Sequence, residues 1–176
     1  MTVRMLFVCT ANISRSPYAE RRARMLDPER RLLVGSAGVP GMPGRPMDPE
    51  MARQLVDRGG SAEGHVSQSV NEDMLAFSDV VLSFEFAQHL RILEEWPQYA
   101  ARVFGIGQFA DAVDRLRQGA GPRTVTEIAE RATPDSMGWD VDDPYRRGRR
   151  AARAAAARID GHLMRIIPAL TGTEPT

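Results

Sequence analysis

The chain has 176 residues, with 23 basic and 23 acidic side chains and one cysteine. A balanced charge gives no electrostatic case for nucleic acid or an anionic membrane, and a lone cysteine excludes an internal disulfide framework or a Cys-rich zinc site. The apolar runs are too short to span a bilayer and residues 1–10 lack the pattern of a signal peptide, so the expectation is a cytoplasmic protein with no membrane insertion.

The predicted elements alternate in type. Val3 to Val8 is a nearly continuous apolar run, as in a strand buried on both faces of a parallel sheet. Ser16-Pro17 reads as an N-cap with proline at the first helical position, opening a helix to about Met25 that Asp27-Pro28 stops. Arg31 to Val34 reads as a second strand, and Gly35 to Pro49, rich in Gly and Pro, as a surface loop. Asp48-Pro49 opens a helix that ends at Gly59-Gly60. A short helix over Met74 to Phe77, a strand over Asp79 to Ser83, a helix over Phe86 to Glu95 and a strand over Arg102 to Ile106 follow. Phe109, Val113 and Leu116 have helical spacing, Gly119 to Pro122 breaks it, and Thr124 to Ala132 reads as another helix.

Asp143-Pro144 opens the long last helix. Its buried face is Ala152, Ala155, Ala156, Ile159, Leu163, Ile166 and Ile167, and Arg146, Arg147, Arg149, Arg150, Arg153 and Arg158 cover its solvent side. The order predicts one α/β domain over residues 1–176, a three-layer α/β/α fold with a four-stranded parallel sheet.

Chemistry concentrates at the end of the first strand. Cys9-Thr10-Ala11-Asn12-Ile13-Ser14-Arg15-Ser16-Pro17 is a strand end, a tight loop and a helix start. Backbone N–H groups of such a loop, with the helix N-terminus, converge on one spot and hold a phosphate or sulfate. Cys9 supplies a nucleophile whose thiolate form the positive surroundings favour, and Arg15 a planar, bidentate partner for phosphate oxygens. Asn12 suits a left-handed loop position. A general acid for a phosphate ester is a carboxyl group, and Asp140, Asp142 and Asp143 are all eligible by composition.

The Cys-x5-Arg-Ser-Pro pattern resembles the low-molecular-weight protein tyrosine phosphatase family. Val34-Gly35-Ser36-Ala37-Gly38, Gly64-His65-Val66 and Asp142-Asp143-Pro144-Tyr145 resemble further segments of that family in the same order. The resemblance implies a protein tyrosine phosphatase acting through a phosphocysteine on Cys9, with Thr10, Ala11, Asn12, Ile13, Ser14 and Ser16 in the phosphate loop and Arg15 as clamp. It selects Asp143, immediately before the proline, as the acid. It assigns Ser36 and His65, with Asn12 and Ser16, to a hydrogen-bond network bracing the loop, and Met42 and Tyr145 to the substrate pocket. It implies no cofactor and no metal, and a phosphotyrosine protein as substrate, a kinase or polysaccharide-export protein among the options. It also makes residues around 108–138 an insertion, because the family connects these elements more briefly.

Four departures from the family pattern bear on these expectations. Ala11 stands where glycine is usual, so a Cβ is expected to crowd the loop or restrict its φ. Ser14 stands where a second cysteine is frequent, which leaves Cys9 without an internal resolving thiol. Gln68 and Met42 stand near positions of a family arginine and a pocket aromatic. Thioredoxin-coupled arsenate reductases share the fold but need additional cysteines. Protein-arginine phosphatases typically carry Thr where this chain has Ile13, and Ala11 motivates a non-catalytic phosphate-binding relative as a last alternative.

Overall fold

Alternation along the first strand sets the architecture. In β1 (Val3–Cys9), Met5, Phe7 and Cys9 join one apolar cluster while Leu6 and Val8 join another, because successive side chains leave a strand on opposite faces. The structure is a computed structural model that describes residues 2–116 and 122–173. α1 (Arg15–Leu26), β2 (Leu32–Gly38), α2 (Pro49–Val56), α3 (Glu72–Phe77), β3 (Val80–Ser83), α4 (Phe86–Glu95) and, after a 3-10 turn over Pro97–Arg102, β4 (Val103–Gly105) follow. The strands form one parallel sheet in the order β2-β1-β3-β4.

The cluster holding Phe7 takes buried side chains from α1, α2 and the later helices α5 (Ile106–Arg115), α6 (Val125–Ala129) and α7 (Gly148–Thr171). The opposite cluster is closed by Leu75 of α3 and Ile92 of α4, which gives the expected three layers. The seven expected buried positions of α7 are all buried, Ile159, Leu163, Ile166 and Ile167 completely. Truncating one of these four to alanine costs about 2–5 kcal/mol. Asp160 on the same helix accepts from the Tyr18 hydroxyl (2.9 Å), Arg22 Nε (3.0 Å) and Arg58 Nε (2.6 Å), which ties α1 and the end of α2 to α7. No helix of the described residues is long and apolar enough to cross a membrane.

Three expectations need correction. β2 continues through Gly35-Ser36-Ala37-Gly38, where a loop was expected. Parallel pairing of Leu6 to Cys9 with these four residues outweighs the low strand propensity of glycine. Ser16 does not cap α1. The helix starts at Arg15 with Ser14 at the cap, and Pro17 falls in the first turn, where its missing N–H has no intrahelical partner to lose. α7 begins at Gly148 and not at Asp143-Pro144, because Arg146 takes left-handed backbone (φ 58°) that breaks any helix opened at Pro144, and Gly148 (φ 78°) turns the chain into α7.

In the connection from β4 to α7, α5 covers Phe109 and Val113 as expected, and α6 opens on a Thr124–Glu127 capping box. The expected break at Gly119 to Pro122 lies outside the described residues up to Gly121. Residues 130–140 return past the carboxyl ends of β4 and β3, held by Gln108 Nε2 donating to Thr133 O (2.6 Å) and including a 3-10 turn over Met137–Trp139.

Candidate active site

β1 is followed in the sheet by β2 on one side and β3 on the other, so the strand order reverses between β1 and β3. Ligand crevices open outside the carboxyl ends of the strands at such a point. The loop after β1, residues 10–14, and the turn after β3, Phe84-Glu85, meet there.

The loop is held from outside by its carbonyls. Those of Cys9, Thr10, Ala11 and Ile13 accept from the backbone N–H groups of Val39 (2.8 Å), Gly41 (2.8 Å), Met42 (3.2 Å) and Asp48 (2.7 Å). The Asn12 carbonyl accepts from His65 Nε2 at 2.7 Å, which fixes the proton on that nitrogen. No described residue accepts from the amides of Thr10 to Arg15. With every carbonyl tied down from behind, these amides remain as donors for an anion. Gly38 permits the close approach, since a Cβ there would lie 2.6 Å from Gly41 Cα and 2.8 Å from the Thr10 carbonyl.

Asn12 takes the left-handed conformation (φ 59°) and is fully buried. Its Nδ2 donates to Ser16 Oγ and Ser36 Oγ, both 2.9 Å, and its Oδ1 accepts from Gln68 N at 2.9 Å. Ser36 donates onward to Glu20, which also pairs with Arg24. Because Asn12 donates to Ser16, the Ser16 O–H is free to donate in turn. Its neighbours are Cys9 Sγ at 3.0 Å and the Ala37 carbonyl at 3.2 Å. Asn12, Ser16, Ser36 and His65 therefore share one connected network. Ala11 takes no positive φ, so the backbone restriction expected from its Cβ does not arise.

Arg15 is buried, with 1% of its surface exposed. Nη1 donates to the Val141 carbonyl at 2.7 Å and lies 3.1 Å from Glu85 Oε2. Nη2 is 3.5 Å from Asp143 Oδ1, and Nε has no hydrogen-bond partner. Nε–H and Nη2–H form the side-on fork of a guanidinium, the geometry that matches two phosphate oxygens. Nη1 is fully used by the protein; the fork is not.

The three aspartates of the late segment part ways. Asp140 Oδ1 accepts from Phe86 N at 2.7 Å, and burial pushes its carboxyl above the usual range. Together with Val141 N donating to Phe84 O (2.7 Å), this docks the segment onto the β3–α4 turn. Asp142 is exposed. Asp143 faces Arg15, and its Oδ1 also accepts from Tyr145 N (3.2 Å). Tyr145 is half-buried under the Arg146 guanidinium, 5.1 Å from its ring centroid. Met42 is 40% exposed beside Ala11, Ile13 is 6% exposed, and Ser14 Oγ is buried without a partner.

Two residues were not legible as site residues. Glu85 reaches Arg15, and Gln88 Nε2 donates to both Glu85 Oε2 (2.7 Å) and Thr10 Oγ1 (3.1 Å). Glu-x-x-Gln before an apolar stretch reads locally as a helix start, and Gln88 Oε1 does accept from the amides of Phe84 and Glu85. Nothing local points across 70 residues to Arg15.

A doubly wound α/β sheet carrying a Cys-x5-Arg cradle at its switch point defines an oxyanion-binding protein with a cysteine at the cradle's edge. The low molecular weight phosphotyrosine protein phosphatase family model matches residues 4–121, and the chain belongs to that family of phosphatases. The low molecular weight protein-tyrosine-phosphatase Etp of Escherichia coli K12 is 32% identical over 107 residues, which are 61% of this chain and 71% of that protein. The solved low molecular weight protein tyrosine phosphatase from T. tengcongensis superposes with a TM-score of 0.77 at 26% identity, covering 96% of this chain and 99% of that one. The YwlE arginine phosphatase from Geobacillus stearothermophilus shares the fold at a TM-score of 0.75 and 22% identity, covering 94% and 90%.

Proposed function

We propose that the chain hydrolyses phosphotyrosine in proteins through a phosphocysteine intermediate. The Cys9 thiolate, receiving the Ser16 O–H, attacks phosphorus in line with the phenolic leaving group. The amides of residues 10–15 and the Arg15 fork hold the three equatorial oxygens as their charge redistributes. Asp143, protonated, delivers its proton to the departing phenolate, so the P–O bond breaks as the S–P bond forms. The resulting Asp143 carboxylate then takes a proton from the attacking water. The S–P bond breaks, and phosphate and the thiolate are released. Asn12, Ser36 and His65 keep the loop in its anion-binding shape.

The Arg15 fork is the observation that carries this reading: a buried guanidinium whose Nε has no partner and whose Nη2 meets Asp143 at 3.5 Å. Ile13 supports an aromatic over a guanidinium substrate, because its apolar side chain in the loop favours a ring.

The test is hydrolysis of para-nitrophenyl phosphate in EDTA, with phosphotyrosine and phosphoarginine peptides compared alongside. Wild type is expected to turn over the aryl substrates and to be inhibited by vanadate. Cys9→Ser abolishes turnover, and Asp143→Ala lowers kcat by roughly 10²–10⁴. Preference for phosphoarginine would overturn the substrate assignment. Folded wild type that binds vanadate through Arg15 without turnover would overturn the catalytic one.

A further inference from the structure

Beside Asp143 the surface opens into a cleft of 580 Å³. Asp142 and Asp143 form one wall. Arg147, Arg150 and Arg158 rise on the other, with Ala151 and Ala154 between them. Positions 150, 151, 154 and 158 recur at one-, three- and four-residue spacing and so share one face of α7, with Arg147 at the residue before its start. The alanines keep the floor low, so a chain can lie flat between the guanidinium groups.

Several arginines elsewhere are matched to carboxylates, among them Arg4 to Asp79, Arg22 and Arg58 to Asp160, and Arg165 to Asp114. Among the described residues, the side chains of Arg147 and Arg150 have neither an ion pair nor a hydrogen bond, and that of Arg158 only a 3.4 Å contact to the Gly138 carbonyl. In a chain with equal numbers of acids and bases, unmatched cations have been left on the wall that adjoins the acid loop. Asp142 offsets one charge, while Asp143 is directed at Arg15.

We infer that this cleft is a specificity subsite that binds an acidic segment flanking the phosphotyrosine of a protein substrate. The inference rests on the phosphotyrosine reading above. From Arg150 to Arg158 the helix rises about 12 Å, which an extended peptide spans in about four residues. Carboxylate or phosphate groups on that stretch accept from the guanidinium groups. The subsite discriminates among phosphoproteins by what lies beside the phosphotyrosine and leaves small aryl phosphates indifferent to it.

The experiment uses two phosphotyrosine peptides of equal length, one with Asp and Glu flanks and one with Ser and Ala flanks. Their binding to full-length Cys9→Ser protein, which needs no turnover, is measured with and without Arg150→Ala and Arg158→Ala. The acidic peptide should bind roughly three- to tenfold tighter at low salt, and the double substitution or about 0.5 M salt should erase the difference. Binding of the neutral peptide should not change. Equal affinities for the two peptides, or a double substitution that weakens both alike, would overturn the subsite. Turnover of para-nitrophenyl phosphate with Cys9 intact reads the phosphatase assignment separately, and Arg150→Ala with Arg158→Ala should leave it at the wild-type rate.

Discussion

Glu85 Oε2 lies 3.1 Å from Arg15 Nη1, on the opposite side of the guanidinium from its open fork. The carboxylate thus fixes the plane in which Arg15 presents Nε and Nη2, while Gln88 steadies the carboxylate and Thr10 together. Misplacing a positioning group by about 1 Å can cost on the order of 10²-fold in rate. Glu85→Ala is therefore expected to lower kcat/KM for para-nitrophenyl phosphate by roughly ten- to a hundredfold. Glu85→Gln keeps an oxygen for Nη1 and should lose less than half as much on a logarithmic scale. Equal losses would mean that Glu85 acts through charge and not through orientation.

The form of the loop after β1 was legible because its logic is local. Cys9, Asn12, Arg15 and the helix start lie within eight residues, and their types suit an anion whatever the rest of the chain does. What escaped is set by tertiary contact. Glu85 reads as a helix start, and only the strand order brings it to Arg15. Gly35 to Gly38 look like loop residues until β1 pairs with them. Asp143-Pro144 has the local form of a helix opening, yet Arg146 and Gly148 turn left-handed and delay α7 to Gly148. That delay leaves Asp143 in a loop facing Arg15, free of the duties of a cap.

Asn12 combines a left-handed backbone with three side-chain hydrogen bonds, and two substitutions separate these roles. Asn12→Gly removes the bonds and keeps the φ accessible. Asn12→Ala removes the bonds and adds about 1–2 kcal/mol of left-handed strain. Both should destabilise the protein in urea unfolding, each buried group left unpaired costing about 1–3 kcal/mol, with Ala worse than Gly. Ala equal to or better than Gly would show that the loop relaxes away from φ 59°.

Gly38 is at the closest approach between β2 and the phosphate loop. A methyl group at this position meets backbone on three sides, Gly41 Cα at 2.6 Å, Thr10 O at 2.8 Å and Ala11 C at 2.9 Å, with no flexible side chain to give way. Gly38→Ala should cost about 1–3 kcal/mol by overpacking. Because the displaced backbone belongs to the loop, vanadate affinity should fall far more than the shift in Tm alone implies. Unchanged vanadate binding in the folded variant would show that β2, and not the loop, absorbs the clash.

His162 provides a pH signature independent of catalysis. It is 7% exposed on the inner side of α7; its Nδ1 accepts from Arg165 Nη2 at 2.7 Å, and Nε2 has no partner. Burial first, and then the charges of Arg165 and Arg158, push its pKa down from 6.5 to about 4. The folded protein therefore holds His162 neutral where the unfolded chain already binds a proton. The stability tied to this histidine is complete above pH 6.5 and is lost as pH falls toward 4. A shift of this size corresponds to at most about 3 kcal/mol. His162→Gln, which retains an acceptor for Arg165 but cannot titrate, should flatten the decline in unfolding free energy between pH 6.5 and pH 4 relative to wild type. Carboxylates titrate in both proteins and cancel in the comparison. Parallel stability profiles for the two proteins would mean that His162 is protonated in the fold and that Arg165 moves aside to allow it.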